Sequence, residues 1–160
     1  MAWQTEMGII VRHLVNDLDI TLYTKPRLEE AIIIGAQLVS TEVDITSNTY
    51  TIDVDSLTLT PDPTTLSTKD NDFINLVCLK TACILIGSEV KTQARQSFRI
   101  KDGPAEIDVK GVYAALQELH KSLCQDYDKA KVNYLMGSEN PGEAILGPYT
   151  YYLNSNYPDL

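Results

Sequence analysis

The sequence predicts a mainly α-helical fold: a four-helix bundle with a short strand and a β-hairpin, plus an extended C-terminal arm. Apolar residues recur at spacings of three and four in four long segments, which is the period of amphipathic helices. Strand and hairpin signals are confined to two short stretches. After Gly137 the helical period stops, and Gly, Pro, Asn and Tyr become frequent. We therefore divide the chain into a helical domain, residues 1–137, and an arm, residues 138–160.

The first two predicted helices differ in how much of their surface is apolar. Helix 1 runs from Thr5 to Leu18 with a single apolar stripe, and Thr5 is its candidate N-cap. Trp3, just ahead of it, is expected to pack at the start of the helix or on a neighbouring subunit. Helix 2 begins at Thr24 and runs to about Val43, and its centre is apolar nearly all round. We expect helix 2 to lie in the middle of the domain or under a partner.

Two short stretches carry strand signals. Between residues 50 and 59, apolar and polar residues alternate, which predicts one strand with a solvated face. The alternation slips near Asp55, as a bulge or bend requires. The second stretch, SFRIKDGPAEIDV, is typical of a short β-hairpin whose turn is formed by Asp102, Gly103 and Pro104.

Capping residues delimit the two later helices. Asp70 or Asp72 is suited to cap helix 3, which continues to about Thr92. Asp108 is the candidate cap of helix 4, the longest of the four. Gly137 is expected to end helix 4 in the left-handed conformation that glycine favours after a helix.

Acidic residues outnumber basic ones: 22 Asp and Glu against 13 Lys and Arg give a formal net charge of -9. Such a chain is not expected to grip nucleic acid through its phosphates, which requires a clustered basic surface. The charge suits a lumen through which DNA must slide, although solubility alone is the simpler explanation. On the predicted hairpin, Arg99, Lys101 and Asp102 are the candidates for facing such a channel. The basic patch of Arg95, Arg99 and Lys101, which Asp102 and Glu106 interrupt, is too small for a nucleic-acid binding stripe.

The three cysteines and two histidines form no motif in the sequence. Cys78, Cys83 and Cys124 include no CxxC pair, and we expect free buried thiols in a reducing cytoplasm. His13 and His120 lie on helices 1 and 4, outside any Ser or Cys motif, so each is expected to be a helix-surface or core-edge residue. No Cys/His cluster is apparent that would hold zinc.

Catalytic and targeting signals are absent from the sequence. There is no GxGxxG, Walker loop, HExxH or GxSxG, and we expect neither an enzyme nor a bound cofactor. Asp53, Asp55 and Asp62 are spaced like ligands of a divalent ion, but a solvated strand face and a turn explain them better. The first residues lack the basic stretch of a signal peptide, and the longest apolar run, residues 31–36, is too short to span a membrane.

The arm is too apolar and too rich in tyrosine for a solvated tail, although disorder is common at chain ends. Tyrosine is a frequent anchor of protein interfaces. We therefore expect the arm to dock on a partner. The residues predicted to make the buried contacts are Ile145, Leu146, Tyr149, Tyr151, Tyr152, Leu153 and Tyr157.

The order and the local sequences of several segments resemble those of a known family. They are an opening amphipathic helix, YTKPRLEEAI, YTIDVDSLTLTPDP, FINLVCLKTAC, IKDGPAEIDV and a long helix leading to a Gly-Pro-rich end. Together they are similar to the small head-to-tail connector, or adaptor, subunits of tailed bacteriophages. The likeness covers nearly the whole chain, including the arm, and rests on no invariant active-site motif.

The resemblance implies a helical structural protein of the virion neck, made in the cytoplasm of the bacterial host. Such subunits form a ring, commonly a dodecamer, that attaches beneath the portal protein after genome packaging and extends the DNA channel. The implied partners are the portal protein, neighbouring copies in the ring, and the tail or the next neck protein. DNA passes through the lumen without specific binding, and no membrane is involved. The resemblance implies that residues 140–160 wrap around the portal or the neighbouring subunit.

Two alternatives remain open at this point. The first is another ring-forming phage protein, a tail terminator or head-closure protein, although those folds are usually richer in strand. The second is a small cytoplasmic helical enzyme or regulator whose arm closes over its own active site.

Overall fold

The computed structural model describes residues 3–17, 20–97 and 109–137. It confirms the mainly helical fold, with four α-helices and one two-stranded antiparallel hairpin in the described ranges. In chain order the elements are α1 (Trp3–Leu14), α2 (Lys25–Glu42), β1 (Thr51–Asp53), β2 (Thr58–Thr60), α3 (Asn71–Ser97) and α4 (Val109–Met136).

Helix α3 is the central element, and α1, α2 and α4 all pack against it. Its 27 residues and apolar composition would by themselves also suit a membrane span. In this fold its apolar side chains contact other helices of the same chain, which is how a core helix is built. Its buried side chains are Phe73, Ile74, Leu76, Val77, Cys78, Thr81, Ala82, Leu85 and Ile86.

Helix α2 is buried on one side only. The middle of the domain, which was one of the two positions predicted for α2, is occupied by α3. Its buried residues are Leu28, Ala31, Ile32, Ile33, Gly35, Ala36 and Val39. At Gly35 the helix crosses α3 so closely that an added Cβ would collide with the hydroxyl of Thr81. On the other side, Ile34 and Leu38 are 42% and 38% exposed. We call these two residues the α2 outer pair.

Helix α1 begins earlier and ends earlier than predicted. It starts at Trp3, so Thr5 lies inside the helix and is not its N-cap. The Trp3 side chain is only 4% exposed and belongs to the core of its own chain. Its backbone N–H donates to the carboxylate of Asp62 at 3.3 Å, which ties the start of α1 to the loop after β2.

The buried carboxylate of Asp17 explains why α1 stops at Leu14. It accepts hydrogen bonds from the backbone N–H groups of residues 21–23 at 3.0 to 3.3 Å and pairs with Arg12. Arg12 also donates to the carbonyl oxygen of Tyr23 at 2.9 Å. Burial alone would raise the pKa of Asp17, but these hydrogen bonds and Arg12 outweigh it and lower the pKa.

The stretch predicted as a single bulged strand is in fact a hairpin, β1 paired antiparallel with β2. The reason is the side chain of Asp53, which organises the turn. Its carboxylate accepts a hydrogen bond from the N–H of Asp55 at 3.0 Å and from the hydroxyl of Ser56 at 2.6 Å. The hairpin predicted around residues 102–104 lies outside the described residues.

Asp70 is the N-cap of α3 and also the centre of a polar cluster. One carboxylate oxygen accepts the N–H of Phe73 at 3.1 Å. The other accepts hydrogen bonds from Ser47, Asn48 and Tyr50 at 2.6 to 3.0 Å. Burial would raise the pKa of Asp70, but the hydrogen bonds lower it below its usual value. The loop after α2 is thereby fixed to the start of α3.

Helix α4 ends at Met136, close to the predicted position, but by a different conformation. The described glycines all have negative φ, so the prediction of a left-handed Gly137 is wrong. Its N–H still donates to the carbonyl oxygen of Asn133 at 2.9 Å, which continues the helical pattern by one residue. The predicted N-cap, Asp108, lies outside the described residues.

Candidate functional site

The predicted site residues all fall outside the described part of the chain. This applies to the arm residues Ile145, Leu146, Tyr149, Tyr151, Tyr152, Leu153 and Tyr157, and to the hairpin residues Arg99, Lys101 and Asp102. The structure does describe the surface next to the start of the arm, and it brings together groups that the sequence left apart.

A cysteine and histidine cluster lies at the seam between α3 and α4. Cys83 and Cys124 form a disulfide, with Cα atoms 5.1 Å apart, which corrects the expectation of three free thiols. His120 lies beside them, with Nε2 at 3.9 Å from Sγ of Cys83. The expectation that no Cys/His cluster exists is therefore wrong, although the disulfide leaves Cys83 no thiol to act as a nucleophile. Cys78 stays free and buried, and burial raises the pKa of its thiol to about 12.

The sequence did contain one signal for this cluster. His120 and Cys124 are four residues apart, so they lie on the same face of a helix. Cys83 is 41 residues away from its disulfide partner, and its proximity follows only from the packing of α3 against α4. Spacing rules that look for neighbouring ligands in the chain could not find it.

A second cross-link joins α2, α3 and α4 at the carboxylate of Glu42. Lys80 donates to it at 2.5 Å and the hydroxyl of Tyr127 donates at 2.8 Å. Lys131 lies 3.6 Å away, and the ammonium of Lys80 sits 4.6 Å from the ring centre of Tyr127. Burial would raise the pKa of Glu42, but these partners lower it, while burial and the bond to Glu42 raise the pKa of Tyr127.

An open groove of about 620 Å³ lies where α4 ends. Its walls come from the loop after α2, the first turn of α3 and the last two turns of α4. Tyr134 lines it, and its hydroxyl accepts a hydrogen bond from the N–H of Thr46 at 3.2 Å. The lining residues are Asp44, Thr46, Ser47, Asp72, Asn75, Ala130, Asn133, Tyr134, Leu135 and Gly137.

Apolar side chains are exposed beside this groove. Val132, Leu135 and Met136 are 44%, 50% and 61% exposed and lie within two turns at the end of α4. We call these three residues the α4 apolar end. Spacings of three and four place them on one side of the helix. The arm begins directly after it, at residue 138.

The acids that the sequence spaced like metal ligands have local roles. Asp53 organises the hairpin turn, and hydrogen bonds from Ser56 and from the N–H of Asp55 hold its pKa below the usual value. Asp62 accepts hydrogen bonds from the N–H and hydroxyl of Thr64 at 2.9 and 2.6 Å. The turn predicted at Asp62 agrees with these bonds, whereas Asp55 lies in the hairpin turn after β1 and does not share a strand face with Asp53 as predicted.

Comparisons of this chain with protein-family models, curated proteins and solved structures found no match.

Proposed function

We propose that the protein is a head-to-tail connector subunit of a tailed bacteriophage, a structural ring protein of the virion neck that joins the portal to the tail. The observation that carries the proposal is the α4 apolar end beside the open groove. Exposed apolar side chains at the start of a tyrosine-rich segment are typical of a surface that a partner covers.

A ring built by one contact repeated head to tail needs two different surfaces on each subunit. The α4 apolar end supplies one candidate surface. The α2 outer pair, Ile34 and Leu38, supplies a second on another helix. Apolar side chains exposed on two different helices are compatible with a ring subunit, in which each copy uses two different surfaces.

The charge of the chain agrees with a DNA channel. A net charge of -9 repels the phosphate backbone, so DNA slides past such a lumen without being held. Under this proposal the subunit assembles beneath the portal and extends its channel. It then offers a platform to the tail or to the next neck protein.

Native mass spectrometry of the full-length protein tests the proposal, first alone and then with the portal protein encoded in the same genome. We expect a ring, either spontaneous or formed only on the portal. A ring that ignores the portal and binds tail-tube protein would instead indicate a tail terminator. A monomer that binds neither would refute a neck role and favour a self-contained helical enzyme or regulator.

Deletion of residues 147–160 tests the arm separately. We expect the helical domain to keep its circular dichroism spectrum, while attachment to the portal or to neighbouring subunits is lost. Replacing Tyr151 and Tyr152 together by alanine should weaken attachment by at most a few kcal/mol, roughly one or two interface hot spots. Normal assembly of the truncated protein would show that the arm is not the attachment element.

A further inference from the structure

The α3–α4 seam holds three groups that bind metal ions in proteins. The Sγ atoms of Cys83 and Cys124 and a ring nitrogen of His120 all lie within 4.8 Å of one another, and the three residues are half-buried. Two come from one helix face and the third from the helix packed against it. Two thiolates and one imidazole suit zinc, a borderline-soft ion that prefers sulfur and nitrogen ligands.

The backbone of α3 leaves room for the histidine. A Cβ atom at Gly87 would lie 2.8 Å from Nε2 and 3.2 Å from Cδ2 of His120. Gly87 comes one turn after Cys83, so both residues are on the side of α3 that faces α4. A larger residue at position 87 would push the imidazole away from the two sulfurs. Glycine at this position keeps the third ligand atom in the cluster.

The distances fit a tetrahedral ion once the disulfide is open. Zinc bonds of about 2.3 Å to sulfur and about 2.0 Å to nitrogen separate a sulfur and a nitrogen ligand by roughly 3.5 Å. The observed separation of Nε2 from Sγ of Cys83 is 3.9 Å. The two sulfurs must move apart, and two unbonded thiols do so in any case.

We infer that the reduced protein binds a zinc-like divalent cation through Cys83, His120 and Cys124, with a fourth position open to water. The disulfide is the metal-free state of the same site. A dithiol reductant gives two electrons and two protons to the disulfide, yielding two thiols and its own disulfide. One Zn²⁺ then replaces the two thiol protons, which are released to solvent. This inference does not depend on the proposed ring function.

Cobalt(II) is the probe, because thiolate ligation gives it charge-transfer absorption that other ligands do not. The full-length protein is reduced, freed of reductant without air, and titrated with Co²⁺ and then Zn²⁺. We expect one Co²⁺ per chain, displaced by Zn²⁺, with two protons released per ion. The oxidised protein, which has the same sequence, should bind neither ion.

Matched variants identify the ligands. Cys124→Ser and His120→Ala each remove a metal ligand and should weaken Co²⁺ binding by roughly 100-fold or more. Loss of a residue that only hydrogen-bonds to a ligand already weakens metal binding by roughly 10- to 100-fold. Cys78→Ala and His13→Ala remove a thiol and an imidazole outside the cluster and should leave binding unchanged. Gly87→Ala should weaken binding with both cysteines intact, which a site formed by an unfolded chain would not do.

Two results would overturn the inference. One is a reduced, folded wild-type protein that gives no thiolate–cobalt absorption, which would leave the cluster a structural disulfide. The other is binding that falls equally in the Cys78→Ala and Cys124→Ser variants. Circular dichroism of each reduced protein shows whether it is folded, and the comparison of oxidised with reduced wild type needs no substitution.

Discussion

The two sides of α3 are held together by different kinds of interaction. Toward α1 and α2, the contacts are broad and apolar, and Met7, Val11, Ile32 and Ile33 are fully buried. Toward α4, only Leu123 and Tyr127 are buried among the described side chains of that helix. Leu119, Ala130 and Tyr134 are partly buried against the core on this side, and the disulfide and the Glu42 cross-link add specific bonds. The first side depends on area removed from water, whereas the second combines partly buried apolar contacts with a few specific bonds.

The largest effect should come from opening the Cys83–Cys124 disulfide. Its ends are 41 residues apart, and closing a loop of that length in the unfolded chain corresponds to about 4 kcal/mol of stability. Urea unfolding with and without reductant, in the presence of a chelator, measures the loss. The reductant should not change the stability of a Cys83→Ser/Cys124→Ser variant. An equal loss in that variant would contradict the role given to the disulfide.

Acid should affect the α1–α2 side through its buried carboxylates. The folded-state pKa values of Asp17 and Asp70 lie below the usual 3.8. Their contribution to the free energy of unfolding is therefore fully present above pH 3.8 and is lost as the pH falls through the lowered folded-state pKa. Asp70→Asn removes the ionised cap and should cost about 2 kcal/mol at neutral pH. Urea unfolding measured from roughly pH 6 down to roughly pH 2 should show that this variant loses less stability on acidification than the wild type.

The Glu42 cross-link should have a smaller effect, because its carboxylate is 32% exposed. Glu42→Gln keeps the shape but removes the charge that Lys80 and Lys131 share. We expect a loss of about 1 kcal/mol, measured by urea unfolding. Lys129 and Asp126 form a more exposed pair on α4, and Asp126→Asn is the control expected to change little. Equal losses in the two variants would show that the Glu42 cross-link is no stronger than a surface pair.

The smallest effect on stability should come from the α4 apolar end. Met136→Glu changes a side chain that is 61% exposed and should alter unfolding by less than about 0.5 kcal/mol. Ring formation in native mass spectrometry should nevertheless fall. Gln125→Glu adds the same charge to another exposed position of α4 and serves as the control. Unchanged assembly in Met136→Glu would remove this surface from the proposed interface.

The sequence predicted the elements that depend on apolar periodicity, but not the features that depend on specific polar bonds. The four helices follow from apolar periodicity, and residue type and position limited the cap of α3 to Asp70 or Asp72, of which the structure has Asp70. The local polar bonds of Asp17 and Asp53 ended a helix early and turned one strand into a hairpin. Periodicity does not register such side-chain bonds to the backbone.

The candidate sites were harder to predict because they depend on distant parts of the chain. The pairing of Cys83 with Cys124 and the junction at Glu42 exist only after α3 has packed on α4. The contacts of the arm and the orientation of residues 99–102 stay predictions, since these residues lie outside the described ranges.

The length of α4 has a consequence for any assembly. Its 28 residues span about 42 Å, with the predicted channel hairpin just before one end and the arm just after the other. Cys124 fastens this rod to α3 near its middle. The predicted channel-facing hairpin and the predicted docking arm therefore adjoin α4 at points whose spacing is set by helical rise. A subunit of this design would keep its channel-facing segment and its docking arm at two fixed heights.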